Sequence, residues 1–228
     1  MLALKDAEVV AAGSTRNVYR HPDDPALLVK VIRPAAIEQR FGSGAPWYKY
    51  KRRRYRHLIA YLREIREQIA VHAMGGDHPS YLQKIVGIVE TDMGMGFAVE
   101  AVRGRDGDFA PTVAELISLG QFDRSLQEKL DRFLDDLVAS PVIVADLHLS
   151  NVVLGYTPEH GEHFVLIDGI GFKNVIPLER MSAYLNRWGK MRKASFFRAT
   201  VAARIARAPA SPQHAPRTAV QLVPPSHS

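Results

Sequence analysis

Two acids and an amide are the residues of this sequence whose types and spacing could do chemistry. In Val144-Ala145-Asp146-Leu147-His148-Leu149-Ser150-Asn151, Asp146 and Asn151 stand five positions apart between short apolar runs. Seventeen residues past Asn151, a second apolar run, Phe164-Val165-Leu166-Ile167, ends in Asp168-Gly169. Two side chains leaving one loop, joined by a carboxylate from the next, can converge on a single phosphoryl group. Asp146 would stand beside an incoming hydroxyl, while Asn151 and Asp168 hold Mg2+ against nucleotide phosphates. The plain alternative is a pair of polar turns in an ordinary α+β domain. The five-residue spacing of the Asp–Asn pair favours phosphoryl transfer.

Such a site needs a cation for the phosphates. Ala26-Leu27-Leu28-Val29-Lys30-Val31-Ile32 reads as a strand carrying one lysine, which is costly to bury unpaired. Lys30 either snorkels at an edge or meets an anion: a nucleotide phosphate together with a helix carboxylate. The helix that follows has Leu58, Leu62, Ile65 and Ile69 at spacings of 4, 3 and 4, an amphipathic stripe. At about 100° per residue, Glu64 lies roughly 130° from the stripe centre and Glu67 nearly opposite it. Glu64 is therefore the better partner for Lys30, against the alternative of a surface Glu beside Arg63.

Upstream, Val9-Val10-Ala11-Ala12 enters the small turn Gly13-Ser14-Thr15-Arg16, and a second strand leaves it. Such a turn can lay backbone N–H groups over nucleotide phosphates. With one glycine it is equally a plain β-hairpin. Ile85–Thr91 and Phe97–Val102 read as strands joined by a hairpin turn at Asp92–Gly96. Backbone groups where the chain leaves this sheet, at Glu100 and Val102, could meet an adenine edge. Residues 33–46 read as a loop.

Composition bounds the rest. The 228 residues suit one ordinary domain or two small lobes. There is no cysteine, which excludes a disulfide framework, thiolate metal ligands and a Cys nucleophile. The first residues show neither a basic leader nor a long apolar run, and no stretch reaches the ~20 apolar residues of a membrane span. A cytoplasmic protein is expected. A net charge of +6 favours polyanionic partners, which nucleotide phosphate satisfies as well as nucleic acid does. Lys49–Arg56 carries six cations in eight residues with aromatics between them. It reads either as a solvated face or as a patch for phosphates, lipid headgroups or RNA.

In the second half, Thr112-Val113-Ala114-Glu115 has the form of a capping box. A helix is expected from about Asp123 to Ala139, with Leu126, Leu130, Phe133, Leu134 and Leu137 on one side. Past Gly171 there is no long activation-type segment. A basic amphipathic helix follows, with Tyr184, Leu185, Trp188 and Met191 and later Phe196, Phe197 and Val201; it reads as a packed helix with a solvated face in preference to a membrane binder. The Pro-, Ser- and Ala-rich 208–228 is expected to be a disordered tail.

Together these residues resemble the YrbL family, the PhoP regulatory network proteins, in the protein-kinase-like superfamily. The resemblance spans about Ala12 to Ala206. It rests on Arg16-Asn17-Val18-Tyr19-Arg20-His21-Pro22-Asp23-Asp24, Arg63-Glu64-Ile65, Gly87 to Gly96 with its Val-Glu-Thr-Asp hairpin, and Ile167-Asp168-Gly169-Ile170-Gly171 with Ile176-Pro177-Leu178. It implies an α+β, compact bilobal kinase-like fold. An antiparallel-sheet N-lobe with one helix (1–99) would pass through a hinge (100–104) to a reduced, mainly helical C-lobe (105–207). It further implies an ATP- and Mg2+-dependent phosphotransferase: Lys30 on the α/β-phosphates and paired with Glu64, Asp146 as catalytic base, Asn151 and Asp168 on the metal. The sequence departs from the superfamily in lacking the other glycines near Gly13 and the Phe after Asp168. A peptide acceptor is disfavoured by the missing activation segment, leaving a small molecule, lipid or sugar hydroxyl. A regulatory pseudokinase that binds nucleotide without turnover is the second reading, and a basic nucleic-acid-binding module the third.

Overall fold

The computed structural model describes residues 1–13, 15–41, 55–75, 78–171 and 182–207. Ser14 of the first turn, residues 49–54 of the basic run, 172–181 and the tail 208–228 lie outside the described residues.

The first part is a five-stranded antiparallel sheet in the order β1-β2-β3-β5-β4. Its strands are β1 (Val9–Ala12), β2 (Arg16–Arg20), β3 (Leu27–Ile32), β4 (Ile85–Thr91) and β5 (Gly94–Glu100). Side chains alternate across a strand, so β3 divides its residues between two clusters. Val29 and Val31 pack with Leu4 and Tyr19 on one face. Leu28 and Ile32 pack on the other with Tyr61, Phe97 and Val99. Lys30 is on the second face, between Val18 of β2 and Phe97 of β5.

Two segments differ from the sequence reading. Pro34–Phe41, expected as loop, is helix α1. Proline at the first helical position loses no hydrogen bond and brings a preset φ, so Pro34 opens a helix here instead of breaking one. The long helix α2 (Ile59–Gly75) follows a 3-10 turn at Arg56–Leu58. Its buried residues are Ile59, Tyr61, Glu64, Glu67 and Val71, whereas Ile69 is 61% exposed. Of the apolar stripe, Leu58 and Ile65 pack against the sheet cluster while Ile69 points to solvent, and the inward face is shared with the buried carboxylates Glu64 and Glu67. The Tyr61 hydroxyl ties α2 to β3, donating to the Lys30 carbonyl (3.0 Å) and accepting from the Ile32 N–H (3.1 Å).

The second part holds α3 (Val113–Ser118), α4 (Arg124–Ala139), the hairpin β6 (Val152–Thr157) and β7 (Gly161–Leu166), and α5 (Ala183–Arg207). The Thr112–Glu115 capping box is formed in full, and the five apolar residues expected on α4 are all buried. They join Val142, Val144, Leu149, Phe164 and Leu166 in the largest cluster. The two parts are stitched by backbone: the Leu166 N–H donates to the Tyr81 carbonyl (2.8 Å) and the Gln83 N–H to the Leu166 carbonyl (3.0 Å). Tyr81–Gln83 thus runs beside β7 and leads directly into β4. Among the described residues, no helix is long and apolar enough to cross a membrane.

Candidate functional site

The β6–β7 register pairs Val152 with Leu166, which sets Asn151 beside Ile167 at the hairpin's open end. The Ile167 N–H donates to the Asn151 carbonyl at 2.8 Å. Two residues on, the Gly169 carbonyl accepts from the N–H groups of both Ala145 (2.7 Å) and Asp146 (3.0 Å). Gly169 has φ +87°, and a Cβ there would lie 2.1 Å from the Asp146 carbonyl oxygen. Only glycine allows this approach. Asn151 closes its own loop, its N–H donating to the His148 carbonyl (2.9 Å) and its side-chain amide to the Asp146 carbonyl (3.5 Å). Asp146, Asn151 and Asp168 therefore occupy one wall, held mainly by backbone hydrogen bonds. Asp146 is exposed. The Asp168 carboxylate accepts the Gly169 N–H at 2.6 Å.

The facing wall comes from the sheet and α2. The Lys30 ammonium leaves β3 and donates to the Gln83 side-chain oxygen (2.6 Å) and to the carbonyl of Ile167 (2.5 Å), the residue before Asp168. Lys30, Glu64, Gln83 and Asp168 line one small cleft. Glu64, expected to pair with Lys30, instead receives the guanidinium of Arg16 in a two-pronged pair, with Nη1 to Oε2 at 3.0 Å and Nη2 to Oε1. Arg16 Nη1 is also 3.9 Å from Asp168 Oδ1, and its guanidinium stands 5.1 Å from the centre of the Tyr61 ring. A planar fork matches a carboxylate better than an ammonium does, which accounts for the exchange of partners.

Burial governs the ionisation of these groups. It pulls the Lys30 ammonium below its ordinary value, against Asp168 and Glu64, which favour its charge. It pushes the Glu64 carboxyl up, opposed by Arg16. For Arg16, burial works against the charge, but Glu64 and Asp168 outweigh it and hold the guanidinium ionised.

The nucleotide-edge candidates are already engaged within the chain. The Gly13 N–H donates to the Arg16 carbonyl at 2.8 Å, as in an ordinary hairpin. The Glu100 N–H donates to the Lys84 carbonyl (3.0 Å), and the Glu100 carbonyl accepts from the Gln83 side chain (2.8 Å). The Val102 carbonyl accepts from the Ala110 N–H (3.0 Å).

A family model described as PhoP regulatory network protein YrbL matches residues 2–202. The chain belongs to the YrbL family. The YrbL protein of Escherichia coli (strain K12) is 24% identical over 199 residues, covering 85% of this chain and 82% of that one. Among solved structures, the PknI kinase domain of Mycobacterium tuberculosis is similar with a TM-score of 0.47 at 18% identity, covering 92% of this chain and 78% of that one. A C20A_R136A double mutant of the same domain gives 0.42 at 20% identity; the match covers 71% of this chain and 56% of that one.

In this YrbL-family chain the segment leading to Asp146 is gripped from two sides. Glu67 of α2 accepts the Ile143 N–H at 2.6 Å. From α5, the Asn186 amide donates to the Pro141 carbonyl (3.0 Å), Lys190 to the carbonyl of Ser140, and Lys193 to the carbonyl of Val144. Sequence reading weighed Glu67 only as the lesser partner for Lys30 and did not single out Gln83, which lies in a connecting segment, or Lys190, which looks like part of a solvated helix face. The one available signal was Lys30 itself, a buried cation that had to find acceptors.

Burial pulls the Lys190 ammonium down to about 8, against the attraction of Glu67. The unfolded chain keeps that proton up to 10.5, so it binds more protons than the folded chain between those values. Folding stability contributed by this site should therefore rise from pH 8 towards 10.5. Urea unfolding across that range should show a rise that Lys190→Met removes; equal slopes in the two proteins would refute it.

Proposed function

We propose that this chain is a kinase-like phosphotransferase that binds ATP with Mg2+ in the cleft beside β3 and transfers the γ-phosphoryl group to a hydroxyl. A small molecule, lipid or sugar is the favoured acceptor. The reading is carried by the reach of Lys30, whose amine spans from the sheet to the residue before Asp168 and so gives the phosphate cation and the metal carboxylate a common cleft.

Asn151 and Asp168 offer an amide oxygen and a carboxylate, hard oxygen donors that suit Mg2+ together with substrate phosphates. When bound, the ion would neutralise charge on the phosphates. Lys30 adds fixed positive charge, turning from the Ile167 carbonyl to a phosphate oxygen. Asp146, exposed on its loop, accepts the proton of the attacking hydroxyl as the new O–P bond forms and ADP leaves. Asp146→Asn keeps the loop's shape and removes the base. Transfer of label from ATP to acceptors in a cell extract should fall by about 10²–10⁴, while the thermal shift given by ATP with Mg2+ persists. Undiminished labelling would sink the assignment of the base.

A second reading is favoured by Arg16, which holds Glu64 and stands 3.9 Å from Asp168. A nucleotide-binding regulator without turnover would keep that arrangement, as suits a family described by a regulatory network. It requires a nucleotide-dependent thermal shift lost in Asp168→Ala, with no transfer under any condition.

A further inference from the structure

Helix α5 carries seven cations and no acid over its 25 residues, more positive charge than the +6 of the whole chain. Its inward face is accounted for: Asn186, Lys190, Ala194, Phe197 and Val201 are buried. The opposite face is where polar residues belong on a surface helix, and here it is mostly apolar, interrupted by Ser195 and Arg192. Tyr184 is 75% exposed, Trp188 49%, Met191 51% and Phe196 73%. At about 100° per residue, Tyr184, Trp188 and Met191 fall within roughly 60° of one another, with Phe196 about 80° beyond Trp188. Exposed Ala199 and Ala203 continue the strip along the helix.

Cations border this strip. Arg187 lies on one side, and Arg207 lies beyond Phe196 on the other; both are exposed. Arg192 sits within the strip, its guanidinium 4.9 Å from the centre of the Trp188 ring. Contiguous exposed apolar area of this kind marks an interaction surface. Aromatics with a polar edge, bordered by arginines and free of acids, match an anionic bilayer surface, where rings sit among headgroups and guanidinium groups meet lipid phosphates. Two copies of this acid-free helix set face to face would instead bring like charges together.

We infer that the outer face of α5 docks this protein on anionic lipid bilayers, peripherally, through Tyr184, Trp188, Met191 and Phe196, with Arg187 and Arg192 at the headgroups. This is independent of the reaction proposed for the cleft. The test uses the full chain with Trp47→Phe, which leaves Trp188 as the one tryptophan of the two present. Vesicles of phosphatidylcholine with roughly 30% phosphatidylglycerol, a composition that supplies the negative surface potential, should float with the protein and shift Trp188 emission to the blue. Pure phosphatidylcholine vesicles should do neither.

Trp188→Ser with Phe196→Ser should weaken partitioning at least about tenfold. Each of Arg187→Gln and Arg192→Gln should weaken it about fivefold. Unchanged thermal unfolding would show that the variants still fold. Failure to float with anionic vesicles, or flotation untouched by the Trp188/Phe196 pair, overturns the inference. So does a parent protein that ignores lipid but self-associates in sedimentation, with the double substitution making it monomeric; that result would assign the face to a second copy.

Discussion

Arg16→Met is expected to cost about 3–5 kcal/mol of folding stability at neutral pH, the range for breaking one half of a buried ion pair. Glu64 is 7% exposed and Arg16 8%. Without the guanidinium, Lys30 is the one nearby cation left to the carboxylate among the described residues, and Lys30 would have to leave Gln83 and the Ile167 carbonyl to reach it. The substitution keeps most of the apolar stem, so the loss reports the charge. Adding Glu64→Gln should recover most of it, since the uncompensated charge is then gone.

The pH dependence follows with a definite sign. Burial already pushes the Glu64 carboxyl above its ordinary 4.5, and losing Arg16 pushes it further. The folded Arg16→Met protein then holds a proton that the unfolded chain gives up above 4.5, so its deficit grows as pH rises and shrinks as pH falls towards that value. Urea denaturation of the two single variants and the double variant, at neutral and mildly acidic pH, makes this a double-mutant cycle. A loss under about 1 kcal/mol, the usual scale of an exposed pair, would mean the pair is not the buried clamp described here.

The second large effect is expected at Gly169. An alanine there would hold a left-handed φ of +87° with its Cβ 2.1 Å from the Asp146 carbonyl oxygen. The conformational cost alone is roughly 1–2 kcal/mol. The clash adds to it because the obstacle is backbone, which cannot rotate away, so about 3 kcal/mol or more is expected in total. Relief requires the Asp146 loop and the Asp168 turn to separate, so the phosphoryl transfer proposed for the cleft should fall together with stability. Gly94→Ala provides the comparison: its φ is +101°, yet nothing lies within 4 Å of the added carbon. It should show only the conformational part and leave the cleft intact. Equal losses at the two positions, by chemical denaturation, would remove the argument that Gly169 docks one loop on the other.

The residues that mark the candidate site were legible where they are local. Asp146 and Asn151 share one short loop, and a hairpin of known periodicity returns the chain beside Asn151. A two-residue repeat and a tight turn are enough to bring Asp168 alongside. Thr112 with Glu115, and the leucines of α4, were equally readable, because a capping box and a 3.6-residue period are written in neighbours. The α+β character, with an antiparallel sheet first and helices later, follows from the same local signals.

What the sequence could not decide were the partners of buried charges. Lys30 needed an anion or a set of oxygens, and Glu64 needed a cation. That Arg16 would take Glu64 and leave Lys30 to Gln83 and the Ile167 carbonyl depended on where β2, α2 and the Tyr81–Gln83 segment meet. The stripe on α2 marked only part of its inward face: Leu58 and Ile65 pack on the sheet, Glu64 and Glu67 are buried because each finds a partner there, and Ile69 is left outside. Lys190 and Asn186 likewise reach carbonyls more than 40 residues away. Periodicity registers apolar burial, which is a property of each residue. The burial of a charge depends on a second group brought from elsewhere in the chain, and only the folded arrangement supplies it.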